Sequence, residues 1–235
     1  MSIRVIAATV VAAGAMVAAT CGTATAATNR VASPAVQLTS IQLTGVQLLS
    51  ALVPRSDFPA GFKIPKDGIF DSGGRLENSP ARFHLSTMSC KSFANNFGDI
   101  GFGETATAAD VLTNSKSTQL FGQQVYQFKT SSAATAIFKG IRAISRRCLA
   151  FLLSGVGSGL SVHAFDAPRI LGHPTFEVNE SGTVFGARTA IGTVFTVAGT
   201  DLYFTLKFGI TVAPPGSPSG RTTVTRLIKR VQAFR

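Results

Sequence analysis

The side chains most able to do chemistry here are three histidines, a nearby pair of glutamates and three cysteines, and their spacing builds no familiar catalytic set. His84, His163 and His173 are far apart in the chain. His163 alternates with Val162 and Ala164 in a strand-like run, and His173 falls in Leu171-Gly-His-Pro174, which reads as a turn. No Ser/Asp or Cys/His partner set stands near any of them, so none is assigned a catalytic or metal-binding role. Glu177 and Glu180 are three residues apart, and a strand places residues at that spacing on opposite faces. Paired-carboxylate chemistry is therefore not supported. Gly155-Val-Gly-Ser-Gly159 leads into a strand rather than opening a helix, so it reads as a turn and not as a phosphate cradle. The expectation is no catalytic residue, no metal and no cofactor.

The cysteines speak to compartment. Met1-Ser-Ile-Arg4 is a short positive segment, residues 5–19 are small and apolar, and Ala24-Thr25-Ala26 has small residues at the positions a signal peptidase reads. That layout predicts a secretory signal over residues 1–26, cleaved before Ala27. An uncleaved anchor is the weaker reading, because the apolar run is shorter than the roughly 20 residues a span requires. Cys21 stands where a lipoprotein signal would carry its acylated cysteine, though Ala18-Ala19-Thr20 lacks the usual leucine and the Gly or Ala next to the cysteine. Either route removes Cys21 from the thiol count. Cys90 and Cys148 then remain in an oxidising compartment, where a single pair has one connectivity. Closing that loop stabilises by about 4 kcal/mol on the chain-entropy model. The alternative is two buried free thiols. A metal site is not expected, since neither cysteine has a Cys or His at ligand spacing.

Charge comes next. The chain has 22 Lys and Arg against 11 Asp and Glu, a net charge of +11, which favours anionic partners. Export makes nucleic acid the least favoured of these, and no aromatic residues interleave the basic ones to stack bases. Lys139, Arg142 and Arg146 line one side of a central helix, and Arg226, Lys229 and Arg230 line a final one. If adjacent, these faces form a cationic surface for anionic lipid or wall polymer. The plainer reading is two ordinary solvated helix faces.

Several elements must position these residues. The central helix is predicted from Ala134, Ile137, Phe138, Ile141, Ile144 and Cys148, which share one face, with Ser131 and Ser132 as capping hydroxyls. Thr44-Gly-Val-Gln47 has the form of a capping box and predicts a short helix over residues 45–52, stopped by Pro54. Residues 86–97 read as another helix, burying Met88, Phe93 and Phe97 and closed by Gly98. Residues 104–113 and 120–128 read as an antiparallel pair. Beyond the central helix the period drops to two, predicting short strands at 149–153, 160–167, 174–179, 183–190, 193–198 and 202–211. Glu180-Ser-Gly182 and Ala198-Gly-Thr-Asp201 read as turns in this meander. A proline-rich break at 214–220 precedes the last amphipathic helix, with Val224, Leu227, Ile228, Val231 and Phe234 on one face. The whole predicts a tether over residues 27–42 and one α+β domain over residues 43–235. That domain is an antiparallel sheet with helices packed on one face, tied by a single disulfide.

The pattern resembles the PknH-like extracellular sensor domains of actinobacteria. The residues that carry the likeness are Leu49-Ser-Ala-Leu-Val-Pro54, Asp57-Phe-Pro-Ala-Gly-Phe62, Ser89-Cys90, Gln124-Val-Tyr-Gln-Phe128, Ser132-Ala-Ala-Thr-Ala-Ile-Phe138 and the helix-ending Cys148. The chain has no tryptophan before the second cysteine and no second cysteine pair, both frequent in that family. The resemblance implies a cleft-bearing domain that binds an unidentified extracellular ligand, and it implies no kinase activity. The expected function is accordingly a non-enzymatic, secreted or envelope-attached sensor-like domain for a small molecule or envelope component. The alternatives are a cationic adhesion protein and, less favoured, a secreted hydrolase.

Overall fold

Thr44 starts the first element of the domain with a reciprocal cap. Its hydroxyl accepts from the Gln47 N–H at 3.2 Å, and the Gln47 side chain accepts from the Thr44 N–H at 2.8 Å. Helix α1 (Gly45–Ala51) follows, ending before Pro54 as expected, and a single 3-10 turn covers Arg55–Asp57. The computed structural model describes residues 41–76, 81, 84–95, 101–114, 119–148, 161–184, 187–209 and 219–235. The expected signal segment, its cleavage point, Cys21 and the tether up to residue 40 lie outside these residues. So do Phe97, Gly98, the strand expected at 149–153, the turn at 155–159 and most of the proline-rich break.

Seven strands form one antiparallel sheet. They are β1 (Ile69–Asp71), β2 (Ala106–Asn114), β3 (Gln119–Gln127), β4 (Ser161–Ile170), β5 (His173–Val184), β6 (Ala187–Ala198) and β7 (Asp201–Gly209). Their order across the sheet is β1-β2-β3-β7-β6-β5-β4. Two meanders thus meet at β3 and β7, where Gln124 stands opposite Phe204. The β6–β7 turn falls at Gly199 and Thr200 as expected, with Gly199 at φ 60°, a value that glycine adopts without steric cost. Glu180-Ser-Gly182 is not a turn. Those residues continue β5 and pair with Val162 and Ser161 on one side and with Ile191, Ala190 and Thr189 on the other. Pairing on both flanks outweighs the local turn preference of Ser and Gly.

The helices pack on both faces of the sheet, not on one. α4 (Gly220–Ala233) buries Val224, Leu227, Ile228 and Val231 with α1 against Ala108, Leu112, Phe121, Val125, Val194 and Tyr203. α3 (Ser131–Arg147) buries Ala134, Phe138, Ile141 and Ile144 against Tyr126, Phe176, Phe195, Leu202 and Phe204 on the other side. The central strands are apolar on both parities, so each face needs a cover. Phe234, expected in the α4 core, sits at the helix end and is exposed, because the burying face stops at Val231.

The N-cap of α3 is Thr130, one residue before the expected serines, and its hydroxyl accepts from the Ala133 N–H at 3.1 Å. α2 (Cys90–Asn95) is shorter than expected, since residues 85–87 form a turn before it. The disulfide joins Cys90, the first residue of α2, to Cys148, the C-cap of α3, with their Cα atoms 5.3 Å apart. Arg147 reinforces the junction by donating to the Met88 carbonyl at 2.7 Å and the Ser86 carbonyl at 3.3 Å. The turn lies so close to α3 that a Cβ on Gly140 would stand 2.8 Å from Leu85 Cδ1.

Candidate functional site

The six basic residues singled out from the sequence belong to opposite faces and do not form one surface. On α3, Arg142 and Arg146 converge on Asp166 of β4 at 2.6 and 2.9 Å. Arg146 also lies 5.6 Å from the Phe176 ring centroid. On α4, Arg226 pairs with Asp57 at 3.4 Å, and Arg230 donates to the carbonyls of Ala51 at 2.9 Å and Ser50 at 3.0 Å. Four of the six therefore fasten helices to neighbouring elements. Lys229 is exposed, and Lys139 lines an open crevice with Ser131, Ser132, Thr135 and Ala136. His84 is an exposed turn residue, His163 an exposed residue of edge strand β4, and His173 opens β5, half-buried. Among the described residues, no three His, Cys, Asp or Glu gather as a metal site would require. Among the same residues, no helix is long and apolar enough to cross a membrane.

A more distinctive arrangement lies on the α3 face of the sheet, beyond the core that α3 covers. Phe176, Val178 and Glu180 follow one another on that face of β5. Glu180 is 9% exposed, and its Oε2 atom has no hydrogen-bond partner. Its cross-strand neighbours are Val162 and Ile191. Half-buried Ala164, Leu206 and Phe208 extend the same apolar floor, and Thr193 lies opposite Val178. Burial pushes the Glu180 carboxyl up to about 7, because loss of solvent disfavours the charged form. A carboxyl among apolar side chains, neutral or charged at similar cost, can donate to a ligand acceptor or pair with a ligand cation.

Two other buried acids serve the fold. Asp110 lies beneath α1, where Gln123 donates to its Oδ2 at 3.1 Å. Gln123 also brackets Val53, donating to its carbonyl at 2.8 Å and accepting from its N–H at 3.1 Å. Desolvation raises Asp110 to about 7, opposed by the Gln123 hydrogen bond. Asp201 is also raised by burial, with Arg235, Gln127 and Tyr203 acting against that shift. Arg235 reaches it at 2.8 Å, which pins the end of α4 to the β6–β7 turn.

Sequence reasoning weighed Glu180 only as a partner for Glu177 and rejected the pair. The two do point to opposite faces, and Glu177 is neutralised by Arg221 of α4 at 2.6 Å. The signal for Glu180 was its parity with Phe176 and Val178, obscured by reading a turn at residues 180–182.

No family model matches the chain, and no curated protein matches it. Among solved structures, the chain is similar to the extracellular domain of PknH from Mycobacterium tuberculosis. The identity is 13% over 81% of this chain and 97% of that one, with a TM-score of 0.48. It is also similar to an uncharacterized protein from Mycobacterium smegmatis, the Rv0999 ortholog, at 10% identity over 79% and 95%, with a TM-score of 0.40.

Proposed function

We propose that the chain is an exported, non-catalytic sensor-like domain that binds an apolar small molecule on the α3 face of its sheet. The observation that carries this is Glu180, a buried carboxyl without a partner for Oε2 at the end of an apolar floor. Leaving such a group unpaired costs on the order of 1–3 kcal/mol, which a ligand bringing an amine or hydroxyl would recover. The ligand class is therefore an apolar body bearing one such group. The Cys90–Cys148 bond supports export, since disulfides persist in oxidising compartments. It also fixes α3, the wall beside the floor.

The test is native mass spectrometry of the protein recovered from the culture or envelope of producing cells. A noncovalent apolar adduct, stripped by organic solvent and reduced in Glu180→Gln, is the expected result. An adduct retained in full by Glu180→Gln, or hydrolase activity lost on substituting a histidine, would overturn the reading.

A further inference from the structure

The large apolar side chains left exposed among the described residues are not spread evenly. Ile41, Val46, Ile69 and Phe70, each at least 43% exposed, gather at the β1 margin of the sheet. β1 is a three-residue edge strand, and its adjacent Ile69 and Phe70 point to opposite faces. The start of α1 lies against the end of this strand. A Cβ on Gly45 would stand 2.6 Å from the Ser72 nitrogen, and the Val46 N–H donates to the Gly73 carbonyl at 3.2 Å. Half-buried Leu49 follows Val46 about one turn along α1. Arg75 donates to the Gln42 carbonyl, which brings Ile41 to the same margin.

Cations stand at both ends of this apolar strip. Lys63 bridges to Thr113, so it lies on the side of β2 that β1 occupies further along. Lys66 is in the turn leading into β1, where the Gly68 N–H donates to the Pro65 carbonyl at 2.9 Å. At the other end are Arg75 and Lys129, whose carbonyl accepts from the Gln42 side chain at 3.3 Å. All four are exposed, and none pairs with a carboxylate among the described residues. The acids of the margin are exposed Asp67 and half-buried Asp71, which accepts from the Gly73 N–H at 2.6 Å. The opposite edge is built differently: Phe165 and Leu171 are exposed near it, but Arg142 and Arg146 are spent on Asp166. The chain also joins the domain at Ile41, so an export segment or lipid carried upstream brings the β1 margin to a bilayer first.

We propose that the margin formed by β1 and α1 docks on the headgroup layer of an anionic lipid bilayer. Apolar side chains flanked by unpaired cations have the composition of an interfacial contact. The apolar groups enter the boundary between headgroups and acyl chains, and the cations hold lipid phosphates. The contact stays shallow, because the outer N–H and C=O groups of β1 need partners that hydrocarbon lacks. The docking is independent of Glu180, whose floor lies toward the other edge of the sheet.

Co-sedimentation tests it, using protein recovered from producing cells and phosphatidylcholine vesicles with and without phosphatidylglycerol. The quantity read is the affinity that phosphatidylglycerol adds. Wild type should gain affinity on the anionic vesicles, lose that gain as sodium chloride is raised, and show slowed hydrogen exchange over residues 63–75. Ile69→Ser with Phe70→Ser, and separately Lys63→Gln with Lys66→Gln, should each cut the gain by about tenfold or more. Phe165→Ser with Leu171→Ser, at the opposite edge, should bind as wild type does. No gain, an undiminished gain in either margin variant, or loss in the opposite-edge variant alone overturns the proposal. So does self-association without vesicles that Ile69→Ser with Phe70→Ser abolishes, since a second copy would then cover the margin.

Discussion

Val194 and Phe195 are adjacent in β6 and belong to different cores: Val194 packs beneath α4, and Phe195 packs beneath α3. One sheet thus separates two apolar layers, and damage to one should not propagate directly to the other. Leu227→Ala and Phe138→Ala should each cost about 2–5 kcal/mol, and the double variant should equal their sum within about 0.5 kcal/mol. Urea unfolding of the two single variants and the double one checks this. A coupling above about 1 kcal/mol would show that the layers are not independent.

Acid should stabilise the protein over a defined window. Asp110 and Glu180 are raised by burial to about 7 in the folded state, whereas in the unfolded chain they titrate near about 4. Between those values the folded state holds more protons than the unfolded state, so stability falls as pH rises. The Tm at pH 5 should exceed that at pH 8. Asp110→Asn and Glu180→Gln should each flatten the slope, and a Tm that climbs over this range in the wild type would contradict both assignments.

The disulfide should contribute about 4 kcal/mol. Replacing Cys90 and Cys148 together by serine should lower the denaturation midpoint and expose the segment around residues 85–95 to protease before the sheet. Equal stability with and without reductant would show that the bond does not constrain the fold.

Gly140 lies in the middle of α3, where alanine would ordinarily stabilise by about 0.5–1 kcal/mol. Here the added Cβ would meet Leu85 Cδ1 at 2.8 Å and Leu85 Cβ at 3.0 Å. Gly140→Ala should therefore fail to stabilise in the wild type and should stabilise when Leu85 is replaced by glycine, which removes both obstructing atoms. Calorimetry of the four members of that cycle reads the sign directly.

Local signals were legible and tertiary ones were not. Thr44 and Gln47 mark α1 by hydrogen bonds that span three residues, and the faces of α3 and α4 follow from side-chain period alone. The two-sided core was hidden because Phe121 and Val125 alternate with Gln124 and Tyr126, and parity does not tell which face a distant helix will cover. The same limit split β5 at Ser181 and Gly182, since only pairing with β4 and β6 holds those residues extended. Glu180 was lost with that break.

The apolar floor beside Glu180 is tested most directly by titrating the protein with Nile red, a neutral apolar dye, in three forms. Wild type should bind it saturably at one site, Ile191→Asn should lose that binding while remaining folded, and Asn179→Ala on the opposite face should bind as wild type does. Undiminished binding by Ile191→Asn, or loss with Asn179→Ala alone, would contradict the placement of the site.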